Sequence, residues 1–483
     1  MATVPQVGAA PADAATTVPR NLVICCDGTG NQATGDLSNV LKLFRIARKD
    51  ERQRVFYDPG VGTIGNQNAW GRLTQEARAV FGLATGAGLD DNILDAYRFL
   101  VQNYEGEDDR IFLFGFSRGA YTVRALAGFI EMIGLLPPDQ LNICDYALTA
   151  YKRASEKNDF HVAWDFARTT GARRATIHFM GVWDTVASMI VPRPDRFYLP
   201  SLRTLPYTRE NPGVRAFRHA MAIDERRRMF RLNRWAEPQD YVPDRFAKDV
   251  QPQQQDIVQM WFPGVHSDVG GGYPEGESGL SKYPLIWMID EAASEKHGLR
   301  ISRSMYRHLA KGEPLPGGKR SYVEPNACAD MHQSLKHVWW LLEWLPKSMR
   351  WREWRRGVLG WYLPRGEPRR IEPGALIHEC VDMRRGDCPG GYSPPNLPPS
   401  APLPPEGRSG PLLRALTGVP LLLALAAGGA WLVWRWWCAA APTLAGLAAV
   451  VGIAVALALI LLAAAGVAGL IGAGAGGKGG ARP

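Results

Sequence analysis

Gly115-Phe116-Ser117-Arg118-Gly119 holds the residues best placed for chemistry in this 483-residue chain. A serine hydroxyl becomes a useful nucleophile when a sharp turn exposes it and a nearby base takes its proton. Glycines on either side remove the Cβ atoms that would clash in so tight a turn. Four β-formers, Ile111 to Phe114, precede the pentapeptide, and Arg118 to Ile133 has small and apolar residues at helical spacing. Strand, turn and helix together make the G-x-S-x-G nucleophile elbow, with Ser117 at the apex. The N–H of Arg118 then opens a helix, where it can face an oxyanion. A plain Gly-rich turn is the competing reading.

A serine nucleophile needs a base, and the base needs an acid that fixes its tautomer. On sheets of this type the chain order is Ser, then Asp or Glu, then His. Asp184 directly follows the apolar stretch Ala175 to Trp183, and His266 lies in a Gly-rich loop after Asp256 to Phe262. Ser117, Asp184 and His266 therefore run in the expected order. His219, with Asp224 and Glu225 nearby, is the rival base, and Asp268 is the rival acid. A second oxyanion donor is expected in Asp27-Gly28-Thr29, after the early strand Asn21 to Cys26. A simple turn in which Asp27 bonds its own backbone fits those residues equally well.

The elements that would position these groups alternate between strand and helix. Strands are expected at Asn21 to Cys26, Arg54 to Tyr57, Ile111 to Phe114, Ala175 to Trp183 and Asp256 to Phe262, with a last one at Ile377 to Val381. Helices are expected at Leu37 to Ala47, Leu89 to Tyr104, Arg118 to Ile133, Tyr146 to Arg168, Val214 to Ile223, Pro284 to Ser294 and Leu335 to Leu345. Such alternation implies βα units and a mainly parallel sheet with helices on both faces.

Composition adds a second region. Residues 1–20 read as a flexible leader without a secretory signal, and 21–387 as the catalytic domain. Residues 388–411 are a Pro/Gly-rich linker. No charge occurs from Ala415 to Trp434, or from Trp436 to Gly477. A helix crossing a bilayer needs ~20 apolar residues, so 412–477 reads as two transmembrane helices, leaving 478–483 as a tail. Trp431, Trp434, Trp436 and Trp437 sit where interfacial aromatics gather, and flanking Lys/Arg predict both termini on the cytoplasmic side of an inner membrane. The net charge is +9, and Lys347 to Arg370 alone holds eight Lys/Arg against Glu353 and Glu367. With its interleaved tryptophans, 335–370 would suit nucleic acid or an anionic membrane. The apolar stretch beyond it favours the membrane, so no nucleic-acid partner is expected. Seven cysteines at irregular spacing form neither a disulfide framework nor a zinc pattern, which suits a reducing compartment.

Several segments together resemble a known family. They are Cys26-Asp27-Gly28-Thr29-Gly30-Asn31, Tyr57-Asp58-Pro59-Gly60-Val61-Gly62-Thr63, the elbow, Gly181-Val182-Trp183-Asp184-Thr185-Val186, His219 with Asp224-Glu225-Arg226, and Phe262 to Gly271. In this order they resemble the α/β-hydrolase group that includes the catalytic domains of type VI secretion phospholipase effectors. The resemblance implies an α/β-hydrolase fold and a Ser/Asp/His esterase mechanism without metal or organic cofactor. It also implies a phospholipid or other lipid ester as substrate. An immunity protein would be a partner only of an effector. A non-catalytic membrane scaffold with a relic fold is the third reading.

Overall fold

The segments NLVICC, RIFLFGF and IHFMGVW have apolar side chains on both faces, the pattern of strands covered from above and below. The computed structural model describes residues 19–28, 37–60, 88–157, 160–186, 189–192, 200–203, 205, 207–243, 251–318, 320–336, 338–349, 352–354 and 361–397. In chain order the main elements begin with β1 (Asn21–Cys26), α1 (Asn39–Ile46), β2 (Gln53–Asp58), α2 (Leu89–Asn103), β3 (Arg110–Phe116) and α3 (Arg118–Ile133). Next come α4 (Cys144–Lys157), α5 (His161–Thr170), β4 (Ile177–Trp183), β5 (Ala216–Ala222), β6 (Asp256–Phe262) and α6 (His266–Gly270). The series ends with α7 (Lys282–Ala293), α8 (Arg303–Lys311), α9 (Val338–Glu343), β7 (Leu376–Ile377) and α10 (Cys380–Asp387).

Seven strands form one sheet in the order β7-β6-β5-β4-β3-β1-β2, and every neighbouring pair is parallel. The sheet is α/β-hydrolase-like. Strand order reverses between β1 and β3, and such a switch point opens a crevice at the carboxyl ends of the strands. Alternation along each strand feeds two cores. Leu22, Ile24, Ile111 and Leu113 pack with α2, α3, α4 and α5, whereas Val23, Cys25, Phe112 and Phe114 pack with α1, α7 and α8. Helix starts follow local chemistry. Ser38 caps α1 by accepting from Leu41 N, and Gly88, at φ 80°, precedes α2 with Asp90 and Asp91 in its first turn.

The structure revises three expectations. Val214 to Ile223 reads as a helix by periodicity, but β5 is a fully buried strand between β4 and β6. A short apolar run has no period that separates the two states, and its sheet neighbours decide. The helical stretch expected from Tyr146 to Arg168 forms as two helices, α4 and α5. The last strand is the two-residue β7, after which the chain turns into α10. Finally, Cys328 and Cys388 form a disulfide across 60 residues of sequence. Irregular spacing hides such a pairing, because tertiary approach creates it. Closing a loop of that length restricts the unfolded chain by about 4 kcal/mol in the loop-entropy picture.

The chain divides into two compact units. The first takes residues up to Glu225, then Met229–His332 and Gly374–Pro394, and it contains the whole sheet. The second takes Arg226–Arg228, 333–373 and the chain from Pro395 on. In it, Arg228 is ion-paired with Glu353 and Glu367, and Arg352 binds Glu367 through both Nε and a terminal nitrogen. Among the described residues no helix is long and apolar enough to cross a membrane, and the proposed hairpin at 412–477 lies outside them.

Beneath the sheet two fully buried lysines share one carboxylate. Glu275 is 2.9 Å from Lys42 Nζ and 2.5 Å from Lys282 Nζ, and Lys282 also donates to Leu309 O. Burial, reinforced by the Lys42 charge and opposed by Glu275, lowers the Lys282 pKa to about 7. The folded state therefore binds fewer protons than the unfolded chain between that value and the ordinary lysine pKa, and stability rises with pH across the interval. Thermal unfolding of the wild type should shift upward from pH 7 toward pH ~10, where lysine normally titrates. The rise should shrink in Lys282→Met, and identical pH profiles would show that Lys282 does not titrate in this window.

Candidate active site

Ser117 sits between β3 and α3 with φ 56° and ψ −117°, a conformation that non-glycine residues rarely adopt. Strain of this kind costs about 1–3 kcal/mol and persists only when surrounding contacts enforce it. Here Ser117 N donates to Trp183 O, and Ser117 O accepts from Tyr121 N as the helix begins. The flanking glycines let three backbones meet. A Cβ on Gly115 would lie 2.5 Å from Gly119 O, and one on Gly119 would lie 2.1 Å from Cys26 O.

Asp184 follows β4 and is fully buried, also at positive φ (39°). Its Oδ1 accepts from Ala222 N at 2.9 Å, which orients the carboxylate, and its Oδ2 lies 2.6 Å from His266 Nδ1. A proton on Nδ1 directed at this carboxylate makes Nε2 the basic nitrogen of the imidazole. His266 opens the five-residue α6. Its ring lies between Phe116, at 4.7 Å between centroids, and Phe230, at 4.9 Å. Phe116 is the residue immediately before Ser117, so one aromatic contact joins the histidine loop to the elbow. Gly270 makes this possible, because a Cβ there would fall 1.9 Å from the Phe116 ring.

The rival residues are engaged elsewhere. His219 is buried on β5, where Nε2 accepts from Thr185 N at 3.2 Å and Nδ1 lies 3.5 Å from Arg124 Nη2. It braces the backbone beside Asp184. Asp268 Oδ2 accepts from Val265 N and His332 N, while Oδ1 meets His332 Nδ1 at 2.7 Å.

The proposed oxyanion loop is corrected in part. Asp27 N is bonded to Asp58 O, and Gly28 N to Asp27 Oδ1. The carboxylate of Asp27 also accepts from Ser38 Oγ and Tyr57 OH. Both amides are thus already used, as in a turn where Asp27 bonds its own backbone. Thr29 lies outside the described residues. The Arg118 amide starts α3 as expected, and burial lowers the pKa of its guanidinium to about 10.

Phe116, Phe230 and Gly270 were not singled out by sequence reasoning. Nothing local marks an aromatic residue as the wall of a histidine 36 positions later, and the Gly270 requirement exists only once the loop meets Phe116.

The close backbone approach yields a test. Gly119→Ala must displace backbone atoms of β1, whereas Gly276→Ala has nothing within 4 Å of the new Cβ. Overpacking typically costs 1–3 kcal/mol, so Gly119→Ala should lose at least about that much in chemical denaturation while Gly276→Ala stays near wild type. Equal stability of the two variants would contradict the packing of α3 on β1.

Residues 20–291 match the family described as T6SS, Phospholipase effector Tle1-like, catalytic domain. An uncharacterized protein of Saccharomyces cerevisiae is 32% identical over 243 residues, which are 47% of this chain and 34% of that protein. Among solved structures, an uncharacterized protein from Pseudomonas aeruginosa is 21% identical with a TM-score of 0.33, over 60% of this chain and 47% of that one. The Tle1 effector bound to the VgrG spike from the Type 6 secretion system is 19% identical with a TM-score of 0.27, over 54% and 52%. The profile match spans more than half of the sequence and contains the elbow, Asp184 and His266, and by it the chain belongs to the family of Tle1-like phospholipase effector catalytic domains.

Proposed function

We propose that this protein is a membrane-tethered serine hydrolase that cleaves phospholipid acyl esters through an acyl-enzyme. One observation carries the reading: the Asp184–His266 pair, 2.6 Å apart, is packed through Phe116 against the elbow that presents Ser117. Ser117 Oγ attacks the acyl carbonyl while His266 Nε2 takes its proton, and Asp184 stabilises the imidazolium that forms. The N–H of Arg118 steadies the oxyanion, with a second donor expected at Thr29. His266 then gives the proton to the leaving alcohol, and water repeats the sequence on the acyl-enzyme.

Ser117→Ala should leave the fold intact and lower kcat on a chromogenic ester on the order of 10⁶-fold. His266→Ala should be comparably damaging, and His219→Ala milder. Activity above a few per cent in Ser117→Ala, or the reverse ranking of the histidines, would refute the assignment.

The tether is the apolar stretch at 412–477, which would hold the catalytic domain on the cytoplasmic side of the inner membrane. Residues 335–370 are proposed to rest on the lipid surface. Support comes from Trp340, Leu341, Trp344, Leu345 and Trp361, which are large apolar side chains left exposed within one short stretch of the second unit. Tryptophan suits the headgroup region, where its ring and its N–H are both accommodated. Arg352 and Trp354 are not part of this surface: the first is paired with Glu367, and the second donates to Pro368 O. Changing Trp340, Leu341, Trp344 and Leu345 to Ser should therefore lower hydrolysis of phospholipid vesicles but spare a short soluble ester. Equal losses on both substrates would remove the lipid-facing role.

The family favours a second reading, in which the chain is delivered as an effector. A cognate immunity protein would then protect cells from lipid damage that depends on Ser117, and a lack of such damage would count against delivery.

A further inference from the structure

Three consecutive backbone amides leading into the histidine are held by three different carboxylates. Gly264 N donates to Asp224 Oδ2 at 2.7 Å, Val265 N to Asp268 Oδ2 at 2.9 Å, and His266 N to Glu225 Oε2 at 3.3 Å. The loop needs such a grip. Gly264 is at φ 104°, and the five-residue α6 is too short to be stable by its own hydrogen bonds.

Two of these carboxylates are in turn held from beyond the family-matched region. Tyr392 OH donates to Asp224 Oδ2 at 2.6 Å. His332 binds Asp268 through both its backbone N and Nδ1, reaches Glu277 with Nε2 at 3.0 Å, and stacks on Tyr273 at 3.5 Å. The segments that supply His332 and Tyr392 are joined to each other. Cys328 and Cys388 are disulfide-bonded, Arg384 donates to Ala329 O, and the Arg384 guanidinium lies over the Tyr392 ring. The two holders therefore belong to one stapled strap.

We infer that His332 and Tyr392 are positioning residues, which fix the His266 imidazole against Asp184 by locking the carboxylates that grip its loop. They touch no reacting atom. Their effect passes through Asp268 and Asp224 to the backbone at 264–265 and so to the ring. The inference rests on His266 being the base, and displacement of a base by even 1 Å costs on the order of 10²-fold in rate.

The test uses the full chain and a short soluble ester, with each variant assayed well below its own unfolding transition and normalised by titration with an active-site serine probe. His332→Ala should lower kcat on the order of 10²-fold with KM nearly unchanged. Tyr392→Phe should act in the same direction. His332→Asn, which keeps a donor near the Nδ1 position, should recover most of the rate. Hydrogen exchange at residues 264–266 should be faster in His332→Ala than in the wild type. Wild-type kcat per titrated site in both His332→Ala and Tyr392→Phe would overturn the inference. A loss that Asn does not rescue, with unchanged exchange at 264–266, would do the same. A Ser117→Ala control run alongside separates the two levels: full activity there sinks the serine mechanism itself, whereas a dead control beside a fully active His332→Ala sinks only the strap.

Discussion

Where α3 leaves β3, backbone lies against backbone with no room for a side chain between them. The missing Cβ atoms of Gly115 and Gly119 allow the turn to close and the helix to settle on the end of β1. That contact holds Ser117 in its strained conformation. It also fixes Phe116, whose ring supports His266. The rest of the site is arranged by the same edge of the sheet, since all seven strands run parallel and deliver their carboxyl ends to one side. Asp184 emerges from β4, and His266 follows β6. Their meeting is a consequence of the strand register rather than of any local attraction between the two residues.

Much of this was legible because each reactive residue lies at or just beyond the carboxyl end of a strand. The runs before Ser117, Asp184 and His266 are mostly apolar, with His178 and Gln259 as polar members, and β1, β3, β4 and β6 form essentially where that pattern places them. The same feature misled at β5. AFRHAMA carries arginine and histidine at positions that suit a helix face, yet both are buried: Arg218 pairs with Asp256 and Glu291, and His219 is held by Thr185. Polar residues with internal partners imitate an exposed face in sequence. Long-range pairings had no local signature at all. The Cys328–Cys388 bond and the His332–Asp268 contact arise only when distant segments come together.

Charge is handled differently at the site and behind it. Around the histidine loop, carboxylates accept backbone amides, so their negative charge is dispersed into fixed dipoles beside a base that must become cationic. Asp224 shows the tension in this arrangement: burial raises its pKa to about 6 against the bonds from Tyr392 and Gly264. On the opposite core, Lys42 and Lys282 have only the Glu275 carboxylate between them, and burial makes Lys282 give up its proton far more readily than an ordinary lysine. An apolar replacement of one lysine leaves Glu275 paired with the other, so no buried charge is left without a partner.

The Cys328–Cys388 bond has a mechanical meaning. Residues 333–373, which belong to the second unit, lie between the two bridged positions. Tension arriving from the chain beyond Cys388 can pass directly through sulfur to Cys328, without travelling through the intervening residues. The covalent path of such a load thereby bypasses the inserted segment and enters the sheet-bearing unit a few residues from His332.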